Sequence, residues 1–125
     1  MASKLNPDPT PAASERGQQI VRPGFRDLFL DLDGQADYDF LVDRLDHMSG
    51  VALNLEVVHI GPSRSGKPHL HVYLRASRDL SDIERIALQA CLGSDRVREF
   101  LSLMRIWEGG EGTTFFENPD WKDPR

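Results

Sequence analysis

Two short segments alternate apolar and polar residues, and this alternation restricts the chain to folds that contain a β-sheet. In RDLFLDLD, residues 26–33, leucines occupy every second position, with aspartates and Phe29 between them. In HLHVYLR, residues 69–75, apolar residues alternate in the same way with histidine, tyrosine and arginine. Because successive side chains of a strand point to opposite faces, each segment is predicted to be a strand with one apolar and one polar face.

The intervening and following residues predict one helix and two more strands. Apolar residues recur at helical spacing within residues 36–50, which end in a glycine. Residues 51–60 are β-branched and alternating, which is typical of a strand. A turn-rich connection follows at residues 61–68, and residues 113–117, TTFFE, predict a last short strand.

Two consecutive helices are predicted between residues 80 and 106. Ser81 and Glu84 have the spacing of a capping box, and Ser94 or Asp95 is expected to cap the second helix. Each helix has an apolar stripe that we expect to pack in the core: Ile83, Ile86, Ala87, Ala90 and Cys91 in the first, and Val97, Phe100, Leu101 and Met104 in the second. The order β-α-β-β-α-α-β predicts an α+β fold, an RRM-like or ferredoxin-like open sheet with helices packed on one face.

Composition divides the chain into one body and two arms. A length of 125 residues favours a single α+β domain, which we place at residues 23–117. Residues 1–22 are rich in proline, alanine and serine and are predicted to be a disordered arm. Residues 118–125 are expected to be a flexible tail.

Charge and cysteine content exclude several classes of protein. A net charge of −5 argues against a protein that coats nucleic acid by bulk electrostatics. Cys91 is the only cysteine, so we expect no disulfide framework and a reducing, cytoplasmic compartment. No apolar run approaches the roughly 20 residues of a membrane span, and no signal region is apparent, so we expect neither a membrane nor secretion.

The alternation also predicts that four polar side chains share one face of the sheet. Asp31 and Asp33 point away from the leucines of their strand, and His69 and His71 point away from the apolar residues of theirs. If both apolar faces pack against helices, the four side chains lie together on the open face. Carboxylates suit Mg²⁺ or Mn²⁺, and imidazole binds metals, moves protons or contacts phosphate. The sequence therefore predicts a metal and anion site.

FLDLD and SGKPHLHVYL resemble two motifs of the archaeo-eukaryotic primase superfamily, the catalytic core of small-subunit primases and primase-polymerases. The resemblance implies a divalent-metal-dependent nucleotidyltransferase of DNA replication. It implies Asp31 and Asp33 as metal ligands and His71 as the histidine that contacts the nucleotide. Asp95 is the candidate for a third acidic metal ligand. The catalytic residues that the resemblance implies are Asp31, Asp33 and His71.

The same resemblance implies that nucleic acid and nucleotides are the partners of this chain, which could be one subunit of a larger replication complex. It covers residues 27–106, and the chain is smaller than the usual catalytic cores of the family. Basic and small residues near the motifs would hold the phosphates: Ser65, Lys67, His69, His71, Arg75 and Arg105.

Two alternatives stay open. KPHLHVYL also resembles the metal motif of the HUH endonucleases, in which His69 and His71 would hold a metal that polarises a scissile phosphate. The chain lacks the tyrosine nucleophile expected downstream, since Tyr38 and Tyr73 are its only tyrosines. The other alternative is a non-catalytic module that binds single-stranded nucleic acid or a partner protein on its open sheet face, with Phe29 and Tyr73 as stacking residues.

Overall fold

Helices and strands follow one another in the predicted order, with one helix and one strand added near the N-terminus. A computed structural model describes residues 9–48, 53–63 and 69–125. Its elements are α1 (Thr10–Glu15), β1 (Gln19–Val21), β2 (Asp27–Leu32), α2 (Gln35–Met48), β3 (Leu55–Pro62), β4 (Leu70–Ala76), α3 (Asp82–Cys91), α4 (Arg96–Trp107) and β5 (Phe115–Glu117). The predicted α+β class is confirmed.

β2, β4 and β3 form an antiparallel sheet with β4 in the centre. In the ladder between β2 and β4, Asp31 lies directly opposite His71, and Phe29 lies opposite Tyr73. The predicted alternation is confirmed, because the apolar residues between these positions all belong to one core on the other face: Leu28, Leu30, Leu32, Val72 and Leu74.

The leucine face of the sheet packs mainly against α2. Leu41 of this helix is 1% exposed, and Tyr38, Leu45 and Met48 pack around it. A fully buried leucine contributes roughly 1.5–3 kcal/mol relative to an exposed one, so the burial of these leucines stabilises the sheet.

The opposite face is covered as well, which corrects the prediction of an open sheet. β1 and β5 form a two-stranded antiparallel sheet, from which Val21 and Phe115 pack on Phe29 and Tyr73. The indole of Trp121 stacks on Tyr73, with ring centroids 5.3 Å apart. Two large aromatic side chains on one face favour a second layer, because its packing removes their apolar area from water.

The two arms contribute to this second layer. Within residues 9–22 the chain forms α1 and β1, where composition predicts disorder. Gln19 Nε2 donates to the main-chain oxygen of Trp121 at 2.7 Å, and Arg125 Nη1 donates to Asp27 Oδ2 at 2.6 Å. Residues 1–8 of the predicted disordered arm lie outside the described residues. Residues 9–22 and the tail make contacts with partners about a hundred residues away in sequence, which composition does not reveal.

α3 and α4 pack against the outer edge of β2, and they do so with polar groups. Gln89 Oε1 accepts the N–H of Phe29 at 2.8 Å, and Arg98 Nη1 donates to the oxygen of Phe29 at 2.6 Å. Buried backbone groups need such partners when no neighbouring strand supplies them. Further bonds along this edge come from Arg85 to the oxygen of Asp27, from the N–H of Asp31 to Ser94 Oγ and from the N–H of Asp95 to the oxygen of Asp31.

This packing turns most of the predicted apolar stripes of α3 and α4 outward, which corrects their assignment to the core, although Ile86 is buried as predicted. Ile83 is 48% exposed and Phe100 is 59% exposed. Gln89 and Glu99 are instead buried at 0% and 2%. The helices cover a row of backbone N–H and C=O groups, so polar side chains are favoured on their inward faces.

The predicted beginnings of both helices are confirmed. Ser81 and Glu84 form the capping box, in which each side chain accepts the backbone N–H of the other. Asp95 caps α4 by accepting the N–H of Arg98 at 3.0 Å. Gly93 has a φ of 95°, a left-handed conformation that glycine adopts readily, and it lets the chain turn between α3 and α4.

Candidate functional site

A cleft of about 360 Å³ opens beside the end of β2 and the starts of β4, α4 and β5. Among its lining residues are Asp31, Asp33, His69, His71 and Asp95. Each of these five was predicted from the sequence as a metal or phosphate ligand. The structure brings all of them to one place.

Two aspartate–histidine pairs lie next to each other across β2 and β4. Asp31 is directly opposite His71 in the ladder, a position in which Cβ atoms are about 4.5–5.5 Å apart. Asp33 Oδ1 lies 3.3 Å from His69 Nδ1. The first pair is the more buried one, so the cleft has an enclosed end at His71 and an exposed end at Asp33.

β5 holds the His71 ring in a fixed orientation. The ring stacks on Phe115 with centroids 3.8 Å apart, and Nδ1 is hydrogen-bonded to Glu117 Oε1. When Nδ1–H donates to this buried carboxylate, the lone pair of a neutral ring is on Nε2. Among the described residues nothing bonds Nε2, and the side chain lines the cleft. His71 can therefore accept a proton from a bound ligand, or donate to an anion once it is protonated.

Glu117 is a site residue that the sequence analysis missed. It is 4% exposed and ends β5, beside the histidine that it orients. An acid at the end of the apolar segment TTFFE was the only signal in the sequence, and acids at strand ends are common. Its role depends on the pairing of β5 with β1 across the sheet.

The carboxyl group of Asp31 is the half-buried acid at the centre of the cleft. Burial raises its pKa above the ordinary value, the charges of His71 and Arg98 lower it, and the neighbouring acids Asp95 and Asp33 raise it. Within the described parts of the chain, no donor bonds its carboxylate oxygens. A carboxyl group that is partly desolvated and lacks a donor is prepared to bind a cation or a proton.

Two arginines that the sequence analysis did not select bring positive charge to the cleft. Arg98 lies over the ring of Phe115 at 4.8 Å, and Arg16, just after α1, lies over Phe116 at 5.5 Å. Both line the cleft. Arg16 was missed because its segment was predicted to be disordered, and Arg98 because the inward face of α4 was assigned to the apolar stripe.

Of the four remaining predicted phosphate ligands, two lie away from the cleft and two lie outside the described residues. Ser65 and Lys67 lie outside the described residues, although the connection that contains them starts and ends at the cleft. Arg75 lies at the far end of the ladder between β2 and β4. Arg105 is in the last turn of α4, whose first turn reaches the cleft. The structure brings neither arginine to the site.

The stacking role predicted for Phe29 and Tyr73 is wrong. Their side chains are 0% and 1% exposed, and they contact each other edge to face with centroids 4.9 Å apart. Stacking on a base requires an accessible ring face. Both rings are instead the centre of the core between the two sheets.

Neither tyrosine is placed as a nucleophile. The hydroxyl of Tyr73 is buried without a hydrogen-bond partner in the described residues, and burial raises its pKa far above the ordinary value. Tyr38 packs against the leucine core. The tyrosine chemistry of the HUH endonucleases therefore has no support in this geometry.

The carboxylates of the cleft are hard oxygen donors, but they do not form a complete cage for an ion. In the part of the chain that the structure describes, no three acidic, histidine or cysteine side chains are arranged to hold a metal. Asp95 accepts an N–H of α4, and Asp33 faces His69. Mg²⁺ commonly takes one or two carboxylates and completes its shell with water and substrate phosphate. Asp31 and Asp33 supply that number of carboxylates to one cleft, whereas a centre made of protein ligands alone does not fit.

A second cleft, of about 540 Å³, adjoins the first across Asp33 and Asp95. Phe40 of α2 forms one of its walls and is 39% exposed. Gly93 faces this ring so closely that an added Cβ would lie 3.0 Å from Phe40 Cδ1. Together the two clefts suit a ligand with a charged part and a flat apolar part.

Comparisons with known proteins show no family for this chain. No protein-family model, no curated protein and no solved structure matches it. The resemblances to primases and to HUH endonucleases therefore stay predictions from short motifs. Among the helices of the described residues, none is long and apolar enough to cross a membrane.

Proposed function

We propose that the cleft binds a nucleotide together with Mg²⁺ or Mn²⁺ and that the chain is a nucleic-acid-associated nucleotidyltransferase of the primase type. The observation that carries this proposal is the placement of two aspartate–histidine pairs, Asp31 with His71 and Asp33 with His69, on neighbouring strands in one cleft. Carboxylates repel phosphate unless a cation lies between them, whereas imidazolium attracts it. The combination favours a phosphate ligand that arrives with a divalent ion.

Each side chain has a distinct role in this proposal. Asp31 and Asp33 supply the two protein carboxylates to the ion, which when bound neutralises phosphate oxygens and makes the phosphorus more electrophilic. Arg16 offsets the remaining phosphate charge, and Arg98, which is ion-paired with Glu99, contributes less. Phe40, in the adjoining cleft, offers an apolar surface to the base.

His71 is placed to handle a proton. Its side chain lines the cleft, Nε2 has no partner among the described residues, and Glu117 fixes the orientation of the ring. In nucleotidyl transfer the attacking hydroxyl loses a proton, and a histidine held in this way can accept it. Glu117 acts through His71 and is a positioning residue.

The experiment is a calorimetric titration of the chain with a nucleoside triphosphate, with and without Mg²⁺. We expect binding that requires both components, because Asp31 and Asp33 alone do not complete the shell of an ion. Asp31→Asn and Asp33→Asn should each weaken it about 30-fold or more, equivalent to about 2 kcal/mol. Asp46→Asn, at an exposed position of α2, is the matched control and should bind like the wild type.

Absence of binding by the wild type, or unchanged binding by Asp31→Asn, would overturn the nucleotide site. A second assay separates binding from chemistry: extension of a labelled primer on a DNA template with Mn²⁺ and deoxynucleotides. Extension that is lost in Asp33→Asn supports the transferase. Metal-dependent nucleotide binding without any extension contradicts the transferase and leaves a nucleotide-binding module.

A further inference from the structure

The outward face of α4 carries a row of large apolar side chains, of which only the first, Val97, also lines the cleft that contains Phe40. Val97 is 67% exposed, Phe100 59% and Trp107 68%, and Met104 is partly buried between them. Their spacing of three, four and three residues is that of the a and d positions in a helix that pairs with another helix. We call these four residues the α4 stripe.

The stripe is exposed because the opposite, polar side of α4 is the one that packs beside β2. Glu99 and Ser102 are 2% and 1% exposed on that side, and Glu99 belongs to the hydrogen-bonded network beside β2. Amphipathic helices normally bury their apolar side. On this helix the polar side is buried, so the fold of one chain leaves the apolar side uncovered.

The stripe continues onto α3 through a shallow apolar groove of about 290 Å³. Ile83 and Ile86 line it from α3, and Phe100 and Leu103 line it from α4. Contiguous apolar surface of this kind, spread over two neighbouring helices, marks an interaction surface. A helix laid against the stripe would bury the groove as well.

We propose that a second copy of this chain covers the stripe, with the two α4 helices antiparallel about a two-fold axis. The spacing of the stripe reads the same from either end, so it is complementary to itself in that arrangement. Phe100 of each copy then faces Met104 of the other, and Val97 of each copy faces Trp107 of the other. With heptad spacing, the side chains of one helix pack between those of the neighbouring helix along the length of α4.

Charge selects the antiparallel arrangement over the parallel one. Arg96 begins α4 and is exposed, and Glu108 follows its last residue. Antiparallel pairing brings each Arg96 to the negative carboxyl end of the other helix and within reach of the Trp107 ring, where a guanidinium is attracted. Parallel pairing would place the two Arg96 side chains near each other.

The experiment measures the molar mass of the full chain in solution by sedimentation equilibrium over a range of concentrations. A reductant is present because Cys91 is exposed and would otherwise form a disulfide dimer of no relevance. We expect a dimer of the wild type that dissociates on dilution. Phe100→Glu and Trp107→Glu should each weaken the association about 30-fold or more, as expected for large aromatic residues buried in an interface.

Phe25→Glu is the matched control, because Phe25 is 78% exposed but lies outside the stripe. It should leave the dimer unchanged, and circular dichroism should show the same helix content in all variants. A wild type that is monomeric at all concentrations would overturn the proposal. A dimer that survives both Phe100→Glu and Trp107→Glu, or that Phe25→Glu dissociates equally, would overturn it too.

Discussion

Gln89 occupies the place of a missing strand beside Phe29. Its Oε1 accepts the backbone N–H of Phe29 at 2.8 Å, while its Nε2 donates to Glu99 at 2.8 Å and to Thr113 at 3.2 Å. The side chain is 0% exposed. A network of side-chain hydrogen bonds therefore covers the outer edge of β2. Asp31 of the candidate site lies on the same strand, so this network also stabilises the position of Asp31.

Gln89→Ala should lower the free energy of unfolding by about 3 kcal/mol. The substitution leaves the N–H of Phe29 and an oxygen of Glu99 buried without partners, and each such group costs roughly 1–3 kcal/mol. Urea unfolding followed by circular dichroism measures the change. Gln35→Ala is the control, since Gln35 makes an exposed hydrogen bond to Asp39 within α2, and its loss should cost less than about 0.5 kcal/mol. Equal effects of the two substitutions would contradict this role of Gln89.

Local patterns in the sequence predicted most elements of the fold but not what each helix covers. Alternation placed β2 and β4, and the capping residues Ser81 and Asp95 marked the beginnings of α3 and α4. Periodicity shows where the apolar residues of a helix lie, yet it does not show which surface the helix packs on. α3 and α4 pack on a sheet edge, so several of their polar residues are buried and most of the expected core stripe, apart from Ile86, faces outward.

The candidate site was likewise predictable where it depends on local pattern and unpredictable where it depends on packing. The shared face of Asp31 and His71 follows from strand parity, and the structure confirms it by pairing them directly. Glu117, Arg98 and Arg16 could not be predicted, because they reach the cleft through contacts between distant parts of the chain. Such contacts depend on the second sheet, which alternation within one strand does not reveal.

Tyr73→Phe should leave the free energy of unfolding unchanged or raise it by up to about 1 kcal/mol. The hydroxyl of Tyr73 is buried with no hydrogen-bond partner among the described residues, so its removal abolishes a desolvation cost and no bond. The ring contacts with Phe29 and Phe115 are kept. A loss of more than about 1 kcal/mol in urea unfolding would show that the hydroxyl bonds a group outside the described structure.

The buried pair of His71 and Glu117 should be strongly coupled in a double-mutant cycle. Both side chains are nearly inaccessible and hydrogen-bonded to each other, so alanine at either position leaves the other polar group unpaired. We expect a coupling free energy of about 2 kcal/mol from urea unfolding of the wild type, the two single variants and the double variant.

His69 and Asp33 form the matched control for that cycle. They are an acid and a histidine 3.3 Å apart, but their side chains are 39% and 55% exposed. Their coupling should not exceed about 0.5 kcal/mol, since solvent screens exposed ion pairs. Equal coupling free energies in both cycles would contradict the claim that burial makes the pair of His71 and Glu117 the more strongly coupled one.

Asp31→Asn should stabilise the fold at neutral pH while it weakens nucleotide binding. Burial raises the pKa of Asp31 above its ordinary 3.8, so the folded chain binds this proton more tightly than the unfolded chain does. The contribution of Asp31 to stability is therefore complete below 3.8 and declines as the pH rises through the raised value. The gain in unfolding free energy from Asp31→Asn should be larger at about pH 7 than at about pH 3. Asp46→Asn should show no such difference, and a loss of stability in Asp31→Asn at pH 7 would contradict a desolvated carboxylate kept at the cleft for binding.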